Sequence, residues 1–168
     1  MKTAFDECLE AQPFRNALWL SRGTPEFWRM LRECDPDLRL LPPATEAEMT
    51  ALKQYVGGNL DEGLESFLYH SNGLFLGSDA IVLSVKQIIE TTEDMRKRDG
   101  LPRDHLLFIG ALCDGDLFAF GKNKSGDWSS MIFWWECDTD GLCAVEIGLY
   151  GYIAAHVSWR RCMNHQTI

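Results

Sequence analysis

Basic residues are scarce in this 168-residue chain: 16 Lys and Arg stand against 25 Asp and Glu, a formal net charge of −9. Binding to nucleic acid rests on neutralising phosphates with Lys and Arg, so a nucleic-acid partner is not expected, and an anionic membrane surface is disfavoured for the same reason. Long apolar runs are missing too. The longest, Ala80–Val85 and Leu106–Cys113, are strand-sized and far short of the ~20 residues of a membrane-spanning helix. The N-terminus, Met1-Lys2-Thr3-Ala4-Phe5-Asp6-Glu7-Cys8, carries acids by its sixth residue and no apolar stretch behind them, unlike a signal peptide. A cytoplasmic location with reduced thiols is therefore expected.

Motifs that announce chemistry are absent as well. No two of Cys8, Cys34, Cys113, Cys137, Cys143 and Cys162 lie at the C-x₂-C spacing of a zinc site. Cys162-Met163-Asn164-His165 has a plausible gap but no second pair, and Cys137 and Cys143 merely flank a turn, so buried inert thiols are the simpler reading. There is no G-x-S-x-G nucleophile elbow, no P-loop and no dinucleotide fingerprint. The four histidines, His70, His105, His156 and His165, are scattered, and those on predicted helices (His70 and His156) read as structural. No catalytic residue, metal or cofactor is expected.

What is present is a globular composition, 46% hydrophobic, 24% charged and 11% aromatic, in a length that favours one domain with a short appendage. Residues 1–23 are ambiguous. Phe5, Cys8 and Leu9 share one helical face, Pro13 is expected to interrupt it, and Phe14, Ala17 and Leu18 start another. Thr24-Pro25-Glu26 opens a firmer helix with Phe27, Met30, Leu31 and Cys34 on one side, stopped by Asp35-Pro36-Asp37. The Leu40-Leu41-Pro42-Pro43 stretch reads as a boundary.

Thr45-Glu46-Ala47-Glu48 is a capping box for a helix carrying Met49, Leu52 and Val56 and ended by Gly57-Gly58. Asp61 or Asn59 opens the next, with Leu64, Phe67, Leu68 and Ser71 in a stripe and Asn72-Gly73 as its stop. Leu74–Leu76 and Ala80–Val85 then read as strands. Ser84 and Gln87 form a second capping box, opening a helix through Val85, Ile88, Ile89, Thr92 and Met95 that Gly100 and Pro102 close.

The following stretch reads as a β-meander: Leu106–Leu112, Asp116–Phe120, Trp128–Glu136 and Leu142–Ile147, joined by polar turns and closed by a helix over Leu149–Trp159. Residues 160–168 carry no pattern. The predicted division is an N-terminal helical extension over 1–42, a domain over 43–159 and a tail over 160–168. In Ser130–Glu136 both alternating sets are apolar, Met131, Phe133 and Trp135 on one face and Ile132 and Trp134 on the other. A sheet with one wet face alternates cleanly. Either the second face binds a partner or something covers it, and residues 1–40 are the expected cover.

Carboxylates are the one enriched group. Between Asp104 and Glu146 there are eight acids and two bases, a local balance of −6 in about a quarter of the chain. Turn chemistry and solubility account for many of them. Several such turns along adjacent strands also concentrate negative potential and would steer a basic partner. Asp114-x-Asp116 and Asp138-x-Asp140 do not match the Ca²⁺-loop pattern.

The order of these elements and the residues at their junctions resemble the SUKH superfamily, the Smi/Knr-type domain. The resemblance runs from about Leu41-Pro42-Pro43 to Trp159. It rests on Phe67-Leu68-Tyr69-His70-Ser71-Asn72-Gly73-Leu74-Phe75-Leu76, on Ile81-Val82-Leu83-Ser84-Val85 before the helix with Ile88, and on Leu107-Phe108-Ile109-Gly110, Gly115–Phe120 and Ile132-Phe133-Trp134-Trp135-Glu136. Asn59-Leu60-Asp61 departs from the family's usual Leu-Pro, and the first forty residues have no counterpart in its core pattern.

The resemblance implies an α+β architecture, a meander sheet with helices mainly on one face. It also implies a non-enzymatic protein-binding module, in bacteria commonly an immunity protein that neutralises a toxin domain, often a nuclease. A regulatory or scaffold protein holding another partner is the alternative. On the immunity reading the partner-binding residues are expected to be Asp114, Asp116, Asp127, Trp134, Trp135, Glu136, Asp138 and Asp140. The partner is then a basic toxin domain; the oligomeric state is not read from the sequence.

Overall fold

The structure, a computed structural model, describes residues 4–98 and 104–164, with side chains described at 12–98, 104–145 and 148–160. Hydroxyl and carboxylate caps set the helix starts. Helix α1 spans Ala4–Leu20 and α2 spans Pro25–Cys34, opened by Thr24, whose Oγ1 accepts from the Phe27 amide. A short strand β1 (Leu38–Leu40) leads to α3 (Glu46–Val56), where Thr45 and Glu48 close the expected capping box and Gly57, at φ 75°, ends the helix. Asp61 caps α4 (Glu62–His70) by accepting from the Leu64 amide. Strands β2 (Leu74–Leu76) and β3 (Asp79–Val82) follow, then α5 (Val85–Lys97), opened by the Ser84–Gln87 capping box. The meander is β4 (Leu106–Ala111), β5 (Leu117–Lys122), β6 (Trp128–Glu136) and β7 (Gly141–Ile147), and α6 (Leu149–Asn164) closes the chain.

The seven strands form one sheet in sequence order, β1 to β7, with every neighbouring pair antiparallel. This is the α+β fold expected. Asn72 does more than end a helix. Its Oδ1 accepts from the Val85 amide at 2.8 Å and its Nδ2 donates to Glu48 Oε1 at 3.0 Å, so one amide side chain ties the start of α5 to the start of α3. Gly73 beside it takes φ 132°, a conformation that favours glycine.

The main core lies on one face of the sheet. There Leu107, Ile109, Phe118, Phe120 and Ile132 meet Tyr152, Ile153 and Val157 of α6 together with α3 and α4. Four features depart from expectation. Pro13 lies inside α1, which continues through it while lying along α6. β1 is a strand because its residues pair with β2, Leu38 with Leu76 and Leu40 with Leu74. Helix α6 runs past Trp159 to Asn164.

The fourth departure is the cover of the sheet's second face. Residues 1–40 do not supply it: α1 and α2 pack against α6, and Leu18, Phe27, Trp28 and Leu31 join the main core. Instead Met95 of α5 closes a second cluster with Leu106, Phe108, Leu117, Ala119 and Trp135. Thr92 Oγ1 accepts from the Phe108 amide at 3.1 Å, fastening α5 to β4. The closure expected from Gly100 and Pro102 lies outside the described residues.

Candidate functional site

Antiparallel order brings the Gly77-Ser78, Leu112–Asp116 and Cys137–Asp140 turns to one end of the sheet. Hydrogen bonds lace them together. Asp79 Oδ1 accepts from the Cys113 amide at 2.9 Å, and Cys137 Sγ donates to the Asp114 carbonyl at 3.4 Å. Asp116 is the hub: buried, it accepts from the Cys137 amide through Oδ1 and from the Trp134 indole through Oδ2, each at 2.9 Å. Burial alone would raise the Asp116 carboxyl, but the Cys137 amide, the Trp134 indole and the Cys137 thiol together outweigh it and hold the group below the usual aspartate range. Asp140, in the left-handed region at φ 50°, accepts from the Trp135 indole at 2.6 Å.

The expected binding residues therefore divide. Asp114, Asp116, Trp134, Trp135, Glu136, Asp138 and Asp140 gather at this end. Asp127 lies at the opposite end, in the β5–β6 turn beside Trp128, Gly57 and Gly58. Trp135 is 4% exposed, under the guanidinium of Arg98 at 5.8 Å, so its indole belongs to the second cluster and not to the surface. Trp134, on the other face, is half-buried and packs against the main core. Arg160, 3.3 Å from Asp79, and Arg98 are cations at the rim of the acidic end.

Trp134 also walls an apolar cleft of about 460 Å³. Leu112, Phe118, Trp134 and Val145 form its sheet side. Tyr152, Ala155, His156 and Trp159 form its helix side, with Arg15 of α1 at the border. The Phe118, Tyr152 and His156 rings meet mutually at 4.7–5.0 Å between centroids. Burial lowers His156 to a pKa of about 4, against a smaller opposing pull from Asp79, so its imidazole is neutral near pH 7. The Tyr152 hydroxyl is buried without a partner among the described residues, and burial pushes its pKa well up. Val145 and Trp159 at the mouth are 42% and 59% exposed.

Phe118, Val145, Tyr152, His156 and Trp159 were not among the expected site residues. One signal could have found the helical ones: Tyr152, Ala155, His156 and Trp159 recur at i, i+3, i+4 and i+7, a second stripe beside the Ile153–Val157 face. The arrangement suits binding, with an apolar recess for an anchor and carboxylates next to it for cations. Among the described residues no three His, Cys, Asp or Glu side chains group as a metal site requires, and no helix is long and apolar enough to cross a membrane.

Comparison with curated proteins gives no match. The SMI1 / KNR4 family (SUKH-1) matches residues 43–156, about two-thirds of the chain, from Pro43 before α3 to His156 in the cleft. That span takes in all seven acidic-end residues named above, and the chain belongs to the SMI1 / KNR4 family.

Proposed function

We propose that the chain is an immunity-type protein that binds a basic, nuclease-like toxin domain in the cytoplasm and neutralises it by occlusion, catalysing nothing itself. The observation that carries this reading is the Asp116–Trp134 hydrogen bond. It couples the acidic end to the apolar cleft, so one surface offers charge and a desolvated recess side by side. A nuclease needs a Lys/Arg face for phosphates. Asp114, Glu136, Asp138 and Asp140 would meet that face, while an apolar side chain of the toxin enters the cleft against Trp134 and Trp159. Such a pairing of buried anchor and polar rim is how protein interfaces gain affinity and exclude water. The family membership supports a protein-binding role for the same domain.

The test uses the protein encoded by the gene immediately upstream, which this reading requires to be a toxin domain. Expressed alone in a bacterial host, it is expected to arrest growth. Co-expressed with the full chain, growth returns and the two proteins elute as one complex. Arrest that persists in the presence of the chain, with the two proteins eluting apart, contradicts the proposal and favours a regulatory or scaffold role.

A further inference from the structure

Among the described residues no strand pairs with the outer side of β7, and Leu142, Cys143, Ala144 and Val145 are all exposed. An edge strand carries a row of unpaired backbone donors and acceptors, which monomeric proteins usually blunt with Lys, Pro or a covering segment. Gly141-Leu142-Cys143-Ala144-Val145-Glu146-Ile147 has neither Lys nor Pro. One device is present: Ile132 pairs with Glu146 and Phe133 with Ala144, so Val145 is an extra residue that bulges from the ladder. Val145 lines the cleft, and the bulge splits the ladder into Gly141–Ala144 and Glu146–Ile147, so the longer uninterrupted stretch is Gly141–Ala144.

That four-residue edge lies directly beside the Cys137–Asp140 turn, and this neighbourhood selects the occupant. A second copy pairing antiparallel over Gly141–Ala144 would set the two acidic turns at opposite ends of the strand pair, but it would bring together chains of formal charge −9 each, and that charge opposes the pairing. A basic strand meets the opposite situation. We propose that β7 is extended by a strand of the partner: an extended segment, apolar where it passes the mouth of the cleft at Val145 and Trp159, and carrying Lys or Arg where it passes Glu136 and Asp138. Main-chain hydrogen bonds supply the common affinity of such strand addition and the alternating side chains its selectivity. This inference rests on the toxin-binding reading and specifies how the partner is held.

Residue-resolved amide exchange on the full chain tests it, free and bound to the upstream-encoded toxin domain. In an antiparallel edge strand alternate amides point outward, while those between them are already bonded to β6. The alternate amides of Gly141–Ala144 are expected to slow by roughly tenfold or more on binding, with no change at β1, the sheet's other edge. A complex that leaves the outward β7 amides unchanged overturns the strand addition and leaves the toxin-binding reading standing. Slowing of those amides already in the free chain, with a mass of two copies, assigns the edge to self-association and overturns the inference. Absence of any complex overturns both.

Discussion

Asp116 and His156 show how single side chains hold the candidate surface in shape. Each oxygen of the buried Asp116 carboxylate accepts from one half-buried donor. Hydrogen bonds to charged groups are worth more than neutral ones, and an orphaned donor costs its desolvation. Asp116→Ala is thus expected to destabilise the protein by about 2 kcal/mol, read as a lower denaturation midpoint in urea. His156 gives a pH signature. An unfolded imidazole takes its proton near pH 6.5, the folded one only near 4. Between those values the unfolded state binds more protons, so stability falls as pH falls, by on the order of 3 kcal/mol across the window. His156→Gln is expected to remove that slope, which urea melts between pH 7 and pH 4 will show. An unchanged slope would mean that His156 is solvated.

The elements divide into those written locally and those that depend on distant partners. Helices α2, α3, α4 and α5 were legible because Thr24, Thr45, Asp61 and Ser84 act on amides three residues away. β1 was not legible. Three residues carry little periodicity, and the partner that makes Leu38–Leu40 a strand lies at Leu74–Leu76. Pro13 forbids one intrahelical bond, yet α1 persists because its packing along α6 outweighs a local propensity. The surplus apolar face of β6 was visible in the sequence, but its cover was assigned to the wrong segment: nothing local tells that Met95 reaches Trp135.

Of the site, the acidic turns and Trp134 were legible, whereas the cleft was not, since it arises where α6 crosses β5 and β6. That crossing depends on Gly110. A Cβ there would lie 2.6 Å from the Tyr152 hydroxyl and 2.7 Å from the Ile81 carbonyl oxygen. Gly110→Ala is expected to cost about 1–3 kcal/mol through overpacking and to lift α6 from the sheet, seen as a lower melting temperature with weakened partner binding.

At the scale of the whole molecule, an acidic rim and an apolar anchor make separable contributions to one interface. Trp134→Ala empties the cleft wall and leaves Asp116 without its indole donor. On binding the upstream-encoded toxin domain, it is expected to weaken affinity by more than about 2 kcal/mol, expressed mainly as faster dissociation. Neutralising Glu136 and Asp138, both at the rim, is expected to leave dissociation nearly unchanged and to slow association. Strand addition at β7 would add a third contribution that side-chain truncation does not remove.

The most direct test of the central claim, that an acidic surface grips and blocks a basic protein, is the association rate with that toxin domain as a function of salt. Electrostatic steering predicts a rate that falls steeply as ionic strength rises, with a shallower fall for the Glu136→Gln, Asp138→Asn double variant. A rate indifferent to salt, equal for both proteins, would contradict the account.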